Sequence, residues 1–296
     1  MSVQDLSILD NYVKTAPSFE NAVNIFSGEW SSILPPPYEE ITRGRAPHFQ
    51  DPRIQWFIDE LKGIKGQTVL ELGPLEGGHT YMFEQAGARQ TIAIEANTRA
   101  YLKCLISKEI LELKRVRFLC GDFNEYLRHD PTVFDICVAS GVLYHMLNPV
   151  ELIALLAQHC KKHLFIWTHY YNEEIIKQHP VFSSMFTDVV QQDYHGFKHT
   201  LYRRQYETAL EWQGFCGGNA PHSFWMQRDE ILAALSYFGF ENIRINFDEI
   251  NHVNGPSFAI MADRVQPPKS RQIRAWLAEK YPWLRTAYRG VKSRLT

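Results

Sequence analysis

At 296 residues the chain has room for one enlarged α/β domain or two average ones, and 45% hydrophobic with 22% charged residues is ordinary globular composition. Its 31 basic and 33 acidic side chains leave a formal charge of −2, which excludes the global basic field of a nucleic-acid coat protein. The five cysteines, Cys104, Cys120, Cys137, Cys160 and Cys216, include no CxxC pair and lie mostly in apolar runs, so neither a disulfide framework nor a zinc ribbon fits.

Met1 to Asp10 lacks a basic flank followed by an apolar stretch, so no signal peptide is expected there and the cytoplasm is the expected location. A helix is predicted around Ser18 to Phe26, followed by Ser31 to Tyr38, whose three consecutive prolines stiffen an extended link. Residues 1–60 therefore read as an N-terminal cap. From Ile64 onward short apolar runs alternate with helical periodicity, the pattern of βα units on a parallel sheet. Strands are predicted at Thr68 to Leu72, Thr91 to Glu95, Val116 to Cys120, Phe134 to Ala139 and His163 to Thr168. Helices are predicted from about Thr80, from Thr98 to Leu113 and from Pro149 to Cys160. After an interruption, a helix at Arg228 to Phe238 and strands at Asn242 to Phe247 and Ser257 to Ala262 complete a seven-stranded, doubly wound, Rossmann-like α/β sheet with helices on both faces, over residues 61–263. The interruption, residues 171–221, carries so many aromatic side chains that a lid over a pocket is expected. The most apolar long window, Phe134 to Leu147, is well short of the roughly twenty residues that span a bilayer.

Residues 264–296 hold nine basic side chains against Glu279 alone, with Trp276, Leu277, Tyr281, Leu284 and Tyr288 at mostly helical spacing. A basic amphipathic C-terminal helix is expected. It has three possible counterparts: the acidic remainder of the chain, an anionic inner-membrane surface, or tRNA phosphates.

In an open parallel sheet, ligands bind beyond the carboxyl ends of the strands, where strand order reverses. After the first strand comes Glu71-Leu72-Gly73-Pro74-Leu75-Glu76-Gly77-Gly78, in which Gly73 and Gly77 permit a tight turn close to a ligand. The second strand ends at Glu95, where a carboxylate can accept from the two hydroxyls of a ribose. Asp122 and Phe123 follow the third strand and suit the amine and face of an adenine, although Asp122 is equally a good helix N-cap. The fourth strand leads into Ser140-Gly141-Val142-Leu143-Tyr144-His145, placing Tyr144 and the His145 imidazole beside the reacting end of such a ligand. Pro74, Leu75 and Glu76 crowd the first turn, and the Glu76 charge is expected to repel phosphates, which favours a cofactor without them over a dinucleotide.

These four stations, in order, resemble the class I S-adenosylmethionine-dependent methyltransferases, over about residues 60–170 and with strand-level agreement to residue 263. Glu71 to Ala88 and Gly141 to His145 are most similar to the branch containing the tRNA wobble-uridine carboxymethyltransferases. One departure is Leu75, where the family usually has a glycine. The resemblance implies an enzyme that binds S-adenosyl-L-methionine through Glu71, Gly73, Gly77, Glu95, Asp122, Phe123 and Ser140. It implies transfer of a methyl group to an oxygen or nitrogen of a small metabolite or saccharide, with His145 as the first candidate base, His169 the second, and Tyr144 beside them. Tyr170, Tyr171, His195, Tyr202, Arg203 and Trp225 are the candidate acceptor contacts. A tRNA-modifying (carboxy)methyltransferase and a non-catalytic cofactor-binding protein are the alternatives. His195 with His199, and His159 with His163, have the i, i+4 spacing that brings two imidazoles to one helix face. No accompanying acid or cysteine pair completes a metal site, so no metal is expected. Arg203 and Arg204, as helix neighbours, would face different ways, so at most one reaches the site.

Overall fold

The structure is a computed structural model that describes residues 12–42, 44–179, 182–211, 217–218 and 220–264. The expected basic helix lies outside these residues from 265 onward, as do the lid aromatics Trp212 and Phe215. The N-terminal segment holds α1 (Phe19–Asn24), α2 (Glu39–Thr42) and α3 (Pro52–Glu60). Ser18 caps α1 through its side chain, and Asp51 caps α3, whose first residue is a proline that needs no donor there. Val23, Phe26, Trp30, Leu34 and Phe49 form a small core with Ile110, which fastens this segment to the main body.

Five parallel strands follow: β1 (Thr68–Leu72), β2 (Gln90–Glu95), β3 (Val116–Cys120), β4 (Phe134–Ser140) and β5 (Cys160–His169). Between them run α4 (Gly78–Gln85), α5 (Thr98–Ile110), α6 (Phe123–His129) and α7 (Pro149–His159). The period of two sets the layering. Leu70, Leu72, Cys137, Ala139, Leu164 and Ile166 enter one apolar core, while their neighbours Val69, Ile136, Val138 and Phe165 enter a second core on the opposite face. Asn97, Asp122 and Asn148 each accept backbone N–H bonds at the starts of α5, α6 and α7, so every one of these helices begins beside the carboxyl end of a strand.

After β5 come α8 (Glu173–Gln178) and α9 (Phe182–Met185), then β6 (Phe186–Tyr194), β7 (Phe197–Gln205) and β8 (His222–Trp225), then α10 (Arg228–Tyr237), β9 (Phe240–Glu249) and β10 (Ser257–Arg264). The main sheet is ordered β3-β2-β1-β4-β5-β10-β9, and β10 alone runs antiparallel to its neighbours. This is the expected seven-stranded Rossmann-like sheet. Strand order reverses between β1 and β4, so the crevice for a ligand opens above these two strands.

The inserted segment corrects one expectation. After α8 and α9 it forms two strands that pair with β8 in a separate three-stranded antiparallel sheet, β6-β7-β8, so His199, Arg203 and Arg204 lie on a strand and not on a helix. His195 and Gly196, both with positive φ (53° and 87°), form the two-residue turn of its hairpin, the backbone that a tight hairpin requires. Among the described residues, no helix is long and apolar enough to cross a membrane.

Candidate active site

The turn after β1 is held from both sides. Gly73 has φ +64°, and a Cβ there would lie 3.1 Å from Val142 Cγ2; Gly77 has φ +84°, with Phe118 Cζ 3.0 Å from where its Cβ would stand. Between them Leu75 also takes the left-handed region, at φ +56°, and donates its N–H to Glu95 Oε2 at 3.1 Å. The leucine thus adopts the backbone that a glycine would take freely, at a cost of about 1 kcal/mol. Glu76 turns away from the crevice. Its fully buried carboxylate pairs with Lys103 Nζ at 2.7 Å and accepts the N–H groups of Ser31 and Ser32. Its charge is neutralised there, so the expected repulsion of phosphates by Glu76 does not arise from this geometry.

Glu71 is buried beneath the turn, where its carboxylate accepts from the Thr80 hydroxyl and lies 3.7 Å from His79 Nδ1. Burial raises its pKa. His79 Nε2 in turn meets Asp51 at 2.9 Å, and the same carboxylate takes Arg53. Burial works to raise the Asp51 pKa, but hydrogen bonds from His79 and Arg53 hold it well below the usual carboxylate range. Arg53 also covers the Trp167 ring at 4.3 Å. This chain of charges was not foreseen from the sequence, because Asp51 and Arg53 at the start of α3 meet His79 and Glu71 only through tertiary packing.

At the end of β2, Glu95 is 6% exposed; it accepts from Leu75 N–H and, at 2.8 Å, from Asn97 N–H. Burial raises its pKa, and these backbone donors oppose the rise. Asp122 is exposed and caps α6, with Oδ1 accepting from Asn124 N–H at 2.7 Å and from Glu125 N–H at 3.3 Å. Phe123 is half-buried against the main core, and Ser140 closes β4.

Beyond β4 and β5 the aromatic side chains converge. The Tyr144 ring lies 4.1 Å from His145 and 4.7 Å from His169, and it contacts Trp167 and Trp225 edge-on. His169 stacks on Trp225 at 5.2 Å with the rings 7° from parallel. Each imidazole has its Nδ1 side engaged. His169 Nδ1 donates to the Gly255 carbonyl at 2.9 Å. Tyr206 Oη donates its one proton to the Gly217 carbonyl at 3.1 Å, so at 2.7 Å it accepts from His145 Nδ1. In both rings the Nε2 lone pair is therefore the basic position. Burial, with Arg204 and His169 nearby, lowers the His145 pKa to about 3; burial, with His252 and Arg204, lowers that of His169 to about 4. Both are neutral at physiological pH. Burial pushes the Tyr144 hydroxyl far above its usual range.

Other expected contacts are distributed unevenly. Tyr171 stacks on Tyr202 at 3.6 Å, and both join Trp225 and Tyr144 in one apolar cluster. Tyr170 instead directs its hydroxyl to Asp248 at 2.8 Å, along a separate cavity of about 570 Å³ that Arg228 and Asp229 also line. His195 is a correction. Its carbonyl accepts from Tyr237 at the last turn of α10, beside the start of β9, which is the edge of the sheet opposite the crevice. Arg203 is another, because its guanidinium pairs with Asp188 across the hairpin at 3.0 Å. Adjacent residues of a strand face opposite sides, and Arg204 is the one turned toward Tyr206 and Trp225. His159 and His163 do not share a helix face either: His159 bonds the carbonyls of Thr132 and Leu127, and His163 meets Asp263 from β5. Among the described residues, no group of His, Cys, Asp and Glu is placed to hold a metal ion.

Three comparisons bear on this geometry. Residues 70–166 match the family described as methyltransferase domain. A tRNA U34 carboxymethyltransferase from Marinobacter nauticus is 31% identical over 103 residues, a match that takes in 33% of this chain and spans about a third of that protein (31%). The crystal structure of the N-terminal domain of EvdMO1, determined in the presence of SAH and D-fucose, superposes with a TM-score of 0.64 at 18% identity, covering 83% of this chain and 95% of that one. The same domain with SAH bound gives a TM-score of 0.63 over the same shares.

Proposed function

We propose that this chain, which carries a class I S-adenosylmethionine-dependent methyltransferase domain over residues 70–166, transfers a methyl group to an oxygen or nitrogen of a small metabolite or saccharide. The observation that carries the reading is the pair of neutral imidazoles, His145 and His169, with Nε2 lone pairs, set where β4 and β5 open beside the switch point. The turn suits the cofactor: Gly73, Leu75 and Gly77 hold left-handed backbone that brings the chain close above β1, and Glu95 presents a desolvated carboxylate at the end of β2. In this reading Glu71, Gly73 and Gly77 lie along the amino-acid part, Glu95 takes the ribose, and Asp122, Phe123 and Ser140 border the adenine. The bound cofactor supplies an activated methyl on its sulfonium. The chain supplies orientation, exclusion of water and a proton acceptor.

His145 Nε2 takes the proton from the acceptor atom, and Tyr206 fixes the tautomer by accepting from Nδ1. His169 is the second candidate for the same task. Trp225, Tyr144, Tyr171 and Tyr202 form apolar walls against which a ring or a sugar face packs. The likeness to a protein crystallised with D-fucose favours a saccharide among the small acceptors. A second reading, methylation or carboxymethylation of tRNA, draws on the 31% identity to the Marinobacter enzyme. The test is radiolabelled-methyl transfer into fractionated cell extract with and without added tRNA. Label in a low-molecular-weight fraction supports the first reading, label in tRNA the second, and no label from an S-adenosylmethionine-binding protein overturns both.

A further inference from the structure

Among the described arginines that are not exposed to solvent, all but one have a carboxylate or carbonyl partner. Arg53 pairs with Asp51, Arg99 with Glu29, Arg128 with Glu151, Arg203 with Asp188, Arg228 with Asp248 and Arg244 with Asp263. Half-buried Arg264 donates to the Ala157 and Gly239 carbonyls. Arg204 differs. Among the described residues no carboxylate stands within ion-pair distance of it, and its one polar contact is a 3.9 Å approach to Met185 Sδ. Its guanidinium lies 5.4 Å from the Trp225 ring centre and 5.5 Å from that of Tyr206, and its Nε is buried without an acceptor.

Aromatic faces offset part of the cost of removing a guanidinium from water, but they leave its N–H donors unfilled. Trp225 Nε1, on the same wall, is likewise a buried donor without an acceptor. Both donors belong to side chains of one cluster, since Arg204 lies over the Trp225 ring and Trp225 contacts Tyr144 and His169, groups assigned above to the reacting end. Burial also lowers the Arg204 pKa. A planar guanidinium in a desolvated aromatic setting is the group best matched to a carboxylate or phosphate.

We infer that Arg204, with Trp225 Nε1 beside it, receives an oxyanion of the methyl acceptor, so that the substrates of this site are small ring-shaped molecules bearing a carboxylate or a phosphate. This rests on the methyltransferase reading. It places the specificity of the site in the inserted sheet and gives Arg204, rather than Arg203, the task of recognising the acceptor.

The test is calorimetric titration of the full chain, saturated with S-adenosylhomocysteine, using benzoate, benzamide and inorganic phosphate as probes. Benzoate or phosphate is expected to bind at least about tenfold more tightly than benzamide, the size of one charge-assisted bond in a desolvated site. Arg204→Met should remove that advantage, Arg204→Lys should keep part of it, and neither should change S-adenosylhomocysteine affinity by more than about twofold. Whichever anion wins identifies the group as carboxylate or phosphate. Equal binding of benzoate and benzamide with no binding of phosphate overturns the inference, and that comparison needs only the wild-type chain. An advantage that survives in Arg204→Met also overturns it, as does a loss confined to S-adenosylhomocysteine, which would assign Arg204 to the cofactor. Failure of the wild-type chain to bind S-adenosylhomocysteine would instead remove the methyltransferase reading.

Discussion

His169 and His145 tie the chemistry of the site to the pH response of the fold. With a folded pKa near 4 against an ordinary 6.5, His169 is held neutral, so between these values the unfolded chain binds a proton that the folded chain does not. Stability is whole above about pH 6.5 and falls, by up to ~1.4 kcal/mol per pH unit for this one group, as the pH drops toward 4. His145 adds a slope of the same sign that extends to about pH 3. Urea unfolding at pH 7, 6 and 5 should show this decline, and His169→Leu should flatten it; parallel slopes in the two proteins would contradict the neutral state. A substitution at His145 separates catalysis from packing. His145→Ala should lower turnover by about 10²-fold while S-adenosylhomocysteine affinity is kept, as loss of a general base requires; an equal loss of both would assign His145 to the framework.

Asp122 calls for a finer cut, because its Oδ1 already caps α6. Serine caps a helix nearly as well as aspartate, so Asp122→Ser should leave the thermal midpoint nearly unchanged, whereas alanine costs about 1 kcal/mol. A fall in S-adenosylhomocysteine affinity in Asp122→Ser would then report the carboxylate itself. Affinity that falls only in Asp122→Ala would reduce Asp122 to a cap.

Among the elements, the turn after β1 joins the crevice to the N-terminal segment. Glu76 and Lys103 form an ion pair exposed to solvent by only 0% and 5%, and Glu76 also binds the backbone of Ser31 and Ser32. Removing one partner leaves a buried charge without compensation, so Glu76→Gln and Lys103→Met should each destabilise by about 3 kcal/mol. The double substitution should cost clearly less than the two together. Strict additivity in urea unfolding would show that the pair is not coupled. Within the turn, Gly77→Ala should cost about 1–2 kcal/mol because it adds a methyl in left-handed backbone against Phe118, while Leu75→Gly relieves strain and should stay within about 1 kcal/mol of neutral.

The main sheet was legible because each strand is a short apolar run bounded by turn residues, and its helices start at good capping residues such as Asn97 and Asn148. The inserted sheet was not, since its strands are half-exposed and carry Gln191, Gln192, Lys198 and Arg203 at positions that blur the alternation. The His195-Gly196 turn was the available sign of a hairpin, and reading it would have sent Arg203 and Arg204 to opposite faces of a strand. The Tyr206 contact that sets the His145 tautomer spans 61 positions. Neither periodicity nor local spacing carries that information.

For the molecule as a whole, the matched segment, residues 70–166, ends within β5, whereas that strand's outer edge is completed by β10 from the far end of the described chain. β9 reaches the sheet only through β10, which lies between β5 and β9. During synthesis, therefore, Cys160–His169 and Phe240–Glu249 both present unpaired edges until Ser257–Arg264 has emerged from the ribosome. A chain truncated after residue 255 and released from the ribosome should be cleaved by protease within β9 far faster than the full chain, and equal resistance would contradict this order of assembly. Ser257–Arg264 is thus the strand that closes the sheet between β5 and β9, which makes the interval before it emerges the stage at which a nascent chain is most open to pairing with its neighbours on a polysome.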